Sequence, residues 1–101
     1  MIRVILWRNH SERTGFRVSG HAGFAPAGQD IVCAAVSSAV RLTEGLLSSM
    51  DAEYTARIDR EKNAVELRTH ERTVLDAFAR LMRELSEEYP EYIQVTEVRY
   101  V

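Results

Sequence analysis

Residues 31–50, IVCAAVSSAVRLTEGLLSSM, read as an amphipathic helix. Ile31, Ala35, Ala39, Leu42 and Leu46 recur at helical spacing, and Val32, Val36, Val40 and Leu47 widen that apolar line. Ser37, Ser38, Arg41, Glu44, Ser48 and Ser49 fall on the opposite side, as a half-buried helix requires. Asp30 stands just before the first turn, where a short acceptor side chain caps free backbone N–H groups. Gly45 weakens the helix by up to about 1 kcal/mol, and on this reading it marks a close packing contact.

On the N-terminal side, Ile2 to Trp7 mixes β-branched and aromatic residues and reads as a strand buried on both faces or nearly so. Asn9 to Arg13 is a polar connection. Thr14 to Ser19 alternates, with Phe16 and Val18 on one face and Arg17 and Ser19 on the other, which completes a hairpin. Downstream, Tyr54 to Asp59 and Ala64 to Arg68 alternate in the same way around the polar turn Arg60 to Asn63. A second helix, capped by Thr73 or Thr69, runs to about Glu88 on a stripe of Val74, Leu75, Phe78, Leu81, Met82 and Leu85, and Pro90 ends it. Tyr92 to Val101 is a last strand with Ile93 and Val95 inward. The order is ββαββαβ, without repeats. It predicts an α+β sandwich of two layers, one sheet covered by two amphipathic helices.

A chain of 101 residues makes one domain, residues 1–101, with one core. Hydrophobic residues are 46% and charged residues 28%, ordinary for a globular protein. With net charge −2 and pI ≈ 5.9 there is no basic field to attract nucleic acid or an anionic membrane. Arg57, Arg60, Lys62 and Arg68 crowd one stretch and read as exposed hairpin charges. One cysteine excludes an intramolecular disulfide and a thiolate-rich zinc site. His10, His21, Cys33 and His70 show no metal-ligand spacing, so no metal and no cofactor are expected. No signal peptide is evident in Met1 to Arg8, and no run reaches the roughly 18 uninterrupted apolar residues of a membrane span. The expected location is the cytoplasm.

Gly20 to Asp30 is the unusual segment. Gly20, Gly23 and Gly28, with Ala22, Ala25, Pro26 and Ala27, make a loop of eleven residues. The median connection is about 4–6 residues, which favours a functional loop poor in anchoring side chains. It carries His21 and delivers Cys33 to the first turn of the long helix, at the margin of the apolar stripe. There, unpaired N–H groups and the helix dipole favour a thiolate. Magnitudes show that the helix is not enough. A free thiol, pKa about 8.5, is a few per cent ionised at pH 7, and a helix terminus contributes about 0.3–2 kcal/mol. A second partner is needed, and His21 is the available one: it takes the thiol proton and later protonates a leaving amine. A lone cysteine is also a small buried hydrophobe in many cores. A packing role within a binding module therefore stands beside the nucleophile, and a redox thiol enzyme, lacking a resolving cysteine, stands behind both.

Gly20-His21-Ala22-Gly23 followed by Gly28-x-Asp30-Ile31-Val32-Cys33-Ala34-Ala35-Val36-Ser37 resembles the signature of the ribosomal-processing cysteine protease family Prp. The resemblance extends to the length and element order of the whole chain. It implies a cysteine endopeptidase that removes a short N-terminal extension from large-subunit ribosomal protein twenty-seven, cutting after a phenylalanine. Carried over, it makes Cys33 the nucleophile, His21 its general base, the glycine-rich loop a mobile lid and the protein a homodimer built through helices. Asp30 is either a helix cap or the residue that orients His21, and Ser37, one turn past Cys33, lines the cleft. The competing reading is a non-catalytic module that holds a ribosomal protein or an assembly factor.

Overall fold

The computed structural model describes residues 1–26 and 28–99. Seven elements follow in the expected order: β1 Ile2–Arg8, β2 Arg13–Ser19, α1 Ile31–Ser49, β3 Tyr54–Asp59, β4 Ala64–Thr69, α2 Arg72–Glu88 and β5 Ile93–Arg99. Ala27, Tyr100 and Val101 lie outside the described residues. The strands form one sheet in the order β3-β4-β2-β1-β5, with β1 and β5 parallel and the other neighbours antiparallel.

Both helices lie on one face, for a reason that strand order supplies. The units β2-α1-β3 and β4-α2-β5 each join parallel strands that are not neighbours, and such crossovers are right-handed in nearly every protein. The two units start from antiparallel strands and move across the sheet in opposite directions. They are related by a half-turn about the sheet normal, so one handedness puts both helices on the same side. Ile2, Val4, Leu6, Phe16, Val18, Leu67 and Ile93 meet them there, against Val32, Val36, Leu47, Leu75, Phe78 and Met82. The Phe16 and Phe78 rings stack with centroids 3.9 Å apart. On the opposite face Trp7 is buried beneath the Arg68 guanidinium, whose carbon lies 4.1 Å from the ring centroid, and Ile5 is half-buried. The two-sided burial expected for β1 thus holds except at Arg3.

Four local expectations need correction. The inward line of α1 is Val32, Val36, Ala39, Thr43 and Leu47, while Ile31, Leu42 and Leu46 point to solvent, Leu42 at 65% exposure. Gly45 marks no close contact, since a Cβ there would meet nothing within 4 Å. Neither Thr73 nor Thr69 caps α2: Glu71 occupies the cap position without a side-chain bond to the helix, and Thr69 Oγ1 instead donates to Glu53 O and accepts from Glu71 N–H. Leu81, placed in the α2 stripe, is exposed. By length and composition α1 passes for a membrane span, with mean hydropathy 1.4, a feature that counting uninterrupted apolar residues conceals. Arg41 and Glu44 interrupt it, and its inward line is packed in the core.

Candidate active site

The cleft is assembled at the point where β2 hands the chain to α1. Ser19 pairs with Ala64 at the end of β2, and the chain then turns at Gly20 with φ +89°. A Cβ at Gly20 would lie 2.4 Å from Met1 O, so both dihedral and space require glycine there. The next residue, His21, accepts a hydrogen bond from Met1 N at its carbonyl, which ties its backbone to the start of β1. Its side chain remains exposed.

Asp30 fixes the other side. Its Oδ1 accepts from Val32 N–H at 3.0 Å and Cys33 N–H at 2.9 Å, and its Oδ2 accepts from Phe24 N–H at 3.1 Å. One carboxylate therefore caps α1 and fastens the glycine-rich loop to the helix. These bonds hold its pKa below the ordinary carboxylate value, the Cys33 N–H contributing most, with desolvation opposing. Of the two roles left open for Asp30, the cap is the one observed; its carboxylate meets the N–H groups of Phe24, Val32 and Cys33 and the Cys33 side chain.

This cap changes the electrostatic account of Cys33. The N–H groups of Val32 and Cys33, expected to favour a thiolate, already donate to a carboxylate, which offsets the positive end of the helix. The sulfur has two neighbours of its own: the Asp30 carboxylate meets the Cys33 side chain, and Ala22 N–H donates to Cys33 Sγ at 3.3 Å. Cys33 itself is half-buried at the edge of the core.

His21, Gly23, Gly28, Asp30, Cys33 and Ser37 line one open cleft of about 570 Å³. Gly20 and Ser37 also line a second groove of about 510 Å³ between α1 and the β3–β4 hairpin, floored by Val36, Val40 and Val65. Every residue singled out from the sequence thus lines one of two adjoining hollows. Among the described residues no hydrogen bond joins the imidazole to the sulfur. The ring instead meets Asn63, whose Nδ2 is 3.2 Å from Nε2 and 3.4 Å from Nδ1. Sequence reasoning placed Asn63 in a polar turn and gave it no role; a signal was available, because asparagine is favoured in the left-handed conformation it adopts, φ 48°. The loop also has an anchor that sequence reasoning missed: the Phe24 ring packs edge-on against Tyr89 and Tyr92, with centroids 5.9 and 5.2 Å away.

A thiol with an N–H donor on its sulfur, sharing an open cleft with an exposed imidazole, suits nucleophilic acyl transfer. Comparison with known proteins points the same way. A family model described as cysteine protease Prp matches residues 1–94. No curated protein sequence matches. A crystal structure of the essential ribosomal processing protease Prp from S. aureus, with a covalently linked product peptide, superposes with a TM-score of 0.89 at 22% identity, covering 97% of this chain and 100% of that one. The same protease with a substrate peptide gives 0.83 at 21% identity over 97% and 100%. A Streptococcus mutans protein gives 0.83 at 23% over 99% and 96%.

Proposed function

The chain belongs to the cysteine protease Prp family, and on that premise we propose that it trims a short N-terminal extension from large-subunit ribosomal protein twenty-seven, cutting after a phenylalanine, with Cys33 as nucleophile and His21 as general base. The observation that carries the residue assignment is the donor from Ala22 N–H to Cys33 Sγ in a cleft shared with His21. The substrate rests on the S. aureus neighbour, named as a ribosomal processing protease and bound to peptide.

In this reading His21 accepts the Cys33 proton and the sulfur attacks the peptide carbonyl carbon. The C–N bond breaks, His21 returns its proton to the leaving amine, and a thioester remains on Cys33. Water, deprotonated by His21, then attacks the thioester and releases the new carboxylate. The groove floored by Val36, Val40 and Val65 opens beside the thiol cleft and suits an apolar substrate side chain. The working form is a cytoplasmic homodimer. Supporting the dimer are Leu42 and Leu46 on α1 and Met50 at its C-cap, spaced four residues apart and exposed.

Cys33→Ala and Cys33→Ser are expected to abolish cleavage of the extended ribosomal protein, read by intact mass, while circular dichroism stays unchanged. His21→Ala is expected to slow turnover by roughly 10²–10⁴-fold and to slow alkylation of Cys33 near neutral pH. Cleavage at the wild-type rate by folded Cys33→Ala would remove the assignment.

A further inference from the structure

Both helices cover one side of the sheet, and the other side is open. Strand register puts Arg3, Arg17, Arg57 and Arg68 on that open face, with Glu66 among them. Arg3, Arg17 and Arg68 step diagonally across the neighbouring strands β1, β2 and β4, each roughly 7–8 Å from the next. Arg57 on β3 stands directly across from Glu66. Glu66 meets Arg17 at 2.5 Å and Arg68 at 3.7 Å, so one carboxylate serves two guanidinium groups. Arg3 and Arg57 are exposed and, among the described residues, have no ion-pair partner. Asp59, at the outer corner, accepts the Lys62 N–H within a turn that also carries Arg60. Glu84, Glu87 and Glu88 are exposed on α2, in the opposite layer. The net charge of −2 is therefore an average over unlike sides. It gives no long-range pull on a polyanion, whereas the open face offers one at contact.

Three features select the anion. Among the described strand residues every cation on this face is arginine, whose planar fork pairs with phosphate at two points and stacks on bases. Arg68 is held over the Trp7 ring, 4.1 Å from its centroid, yet its side chain is 49% exposed, which leaves its outer side open to a base. Ser19, Thr55, Gln94 and Thr96 lie around the arginines and supply short donors and acceptors for ribose hydroxyl groups and base edges. A bilayer is a poorer match, because Trp7 is buried and Ile5 half-buried, leaving little apolar surface to insert. We propose that the open face of the sheet binds single-stranded RNA, with Arg3, Arg17 and Arg57 pairing with phosphates and Arg68, braced by Trp7, stacking on a base. The face meets the thiol cleft at one corner, where Arg3 pairs with Ser19 and the chain passes on to Gly20 and His21. A protein substrate that is itself bound to RNA meets both surfaces at once. RNA binding does not depend on the Cys33–His21 reading.

The test is fluorescence anisotropy of a labelled, mixed-sequence single-stranded RNA of about 12 nucleotides, titrated with the full-length protein. Wild type is expected to bind with a dissociation constant of about 10⁻⁶–10⁻⁴ M. Affinity should fall roughly 7- to 20-fold between about 50 and 200 mM salt, the loss that two or three phosphate contacts give. Arg3→Gln combined with Arg57→Gln is expected to weaken binding roughly fivefold or more at low salt and to reduce the salt slope by about 1.4. Both side chains are exposed, so the fold should persist, which circular dichroism checks. Arg68→Lys keeps the charge and the salt slope but should lose several-fold affinity along with the stack. Arg80→Gln removes a charge from the exposed side of α2 and should leave binding unchanged. No binding by wild type, or binding that survives loss of Arg3 and Arg57, overturns the proposal. So does equal binding of polyglutamate, or of vesicles of phosphatidylserine and phosphatidylcholine in equal parts, with the same arginine dependence. Either result would make the face a general anion surface or a membrane surface.

Discussion

At the residue scale, three N–H groups from two segments converge on the Asp30 carboxylate, and charge on that carboxylate is what keeps loop and helix together. Its folded pKa lies below the ordinary value of 3.8. A lowered carboxylate contributes stability that is complete above the unfolded value and is lost as pH falls through the folded one. The urea midpoint of Asp30→Ala is therefore expected to fall short of wild type by a constant margin from neutral pH down to about 4. The margin should narrow in more acid solution, where wild type loses the same charge. A margin that persists unchanged in strong acid would show that the carboxylate charge is not what holds the loop. The cleft that His21 and Cys33 line was legible in the sequence because the features that mark it are local: a glycine-rich run, a capping aspartate and a helix start within fourteen residues, 20 to 33. Asn63 was not, because its proximity to His21 depends on the pairing of Ser19 with Ala64 across 45 residues of chain.

At the scale of elements, the two hairpins and both helices followed from alternation and helical period, whereas the facing of α1 did not. Its apolar residues cover more than half of the helix, so periodicity leaves its buried line ambiguous by about one residue. Contact with the sheet and α2 selects Val32, Val36, Ala39, Thr43 and Leu47. Gly45 falls on the exposed side in open space. Gly45→Ala is thus expected to stabilise the protein by up to about 1 kcal/mol, read as a higher denaturant midpoint. A loss of stability would mean that this face is covered in solution. The loop before α1 combines hinge-like conformations at Gly23 (φ +71°) and Gly28 (φ +86°) with the anchor at Phe24. A lid built this way should move mainly at Ala25, Pro26, Gly28 and Gln29. Amide exchange of Cys33→Ala is expected to slow over that stretch when substrate peptide binds, with little change at Phe24. Strong protection in the empty protein, or none in the complex, would remove the lid.

At the scale of the whole molecule, the topology leaves a corner unfilled. Helix α1 covers β2 and β4 better than the edge strand β3, where Ile58 faces the helix layer yet is 71% exposed. The groove between α1 and this hairpin is the direct result, and it places an apolar trough beside the thiol cleft. The outer side of α1 and its C-cap meanwhile present Leu42, Leu46 and Met50 to solvent. Burying one large apolar side chain is worth about 1.5–3 kcal/mol, so leaving three aligned ones exposed forgoes a substantial gain that, in the proposed dimer, a second copy would recover by packing helix on helix. A symmetric dimer doubles every contact, because each copy offers the same patch. Leu42→Glu opposes two carboxylates across such an interface and leaves the inward line of α1 untouched. The expected outcome is a sedimenting mass of one chain for Leu42→Glu, close to the chain's 11.5 kDa, against twice that for wild type, with the far-ultraviolet circular dichroism spectrum preserved. Wild type sedimenting as a monomer, or Leu42→Glu as a dimer, would exclude this helix as the joining surface. Cleavage by the variant then separates two architectures. Each cleft is formed by residues of one chain, so a monomeric Leu42→Glu protein should retain Cys33 alkylation. Any loss of cleavage would fall on peptide binding, appearing in KM before kcat.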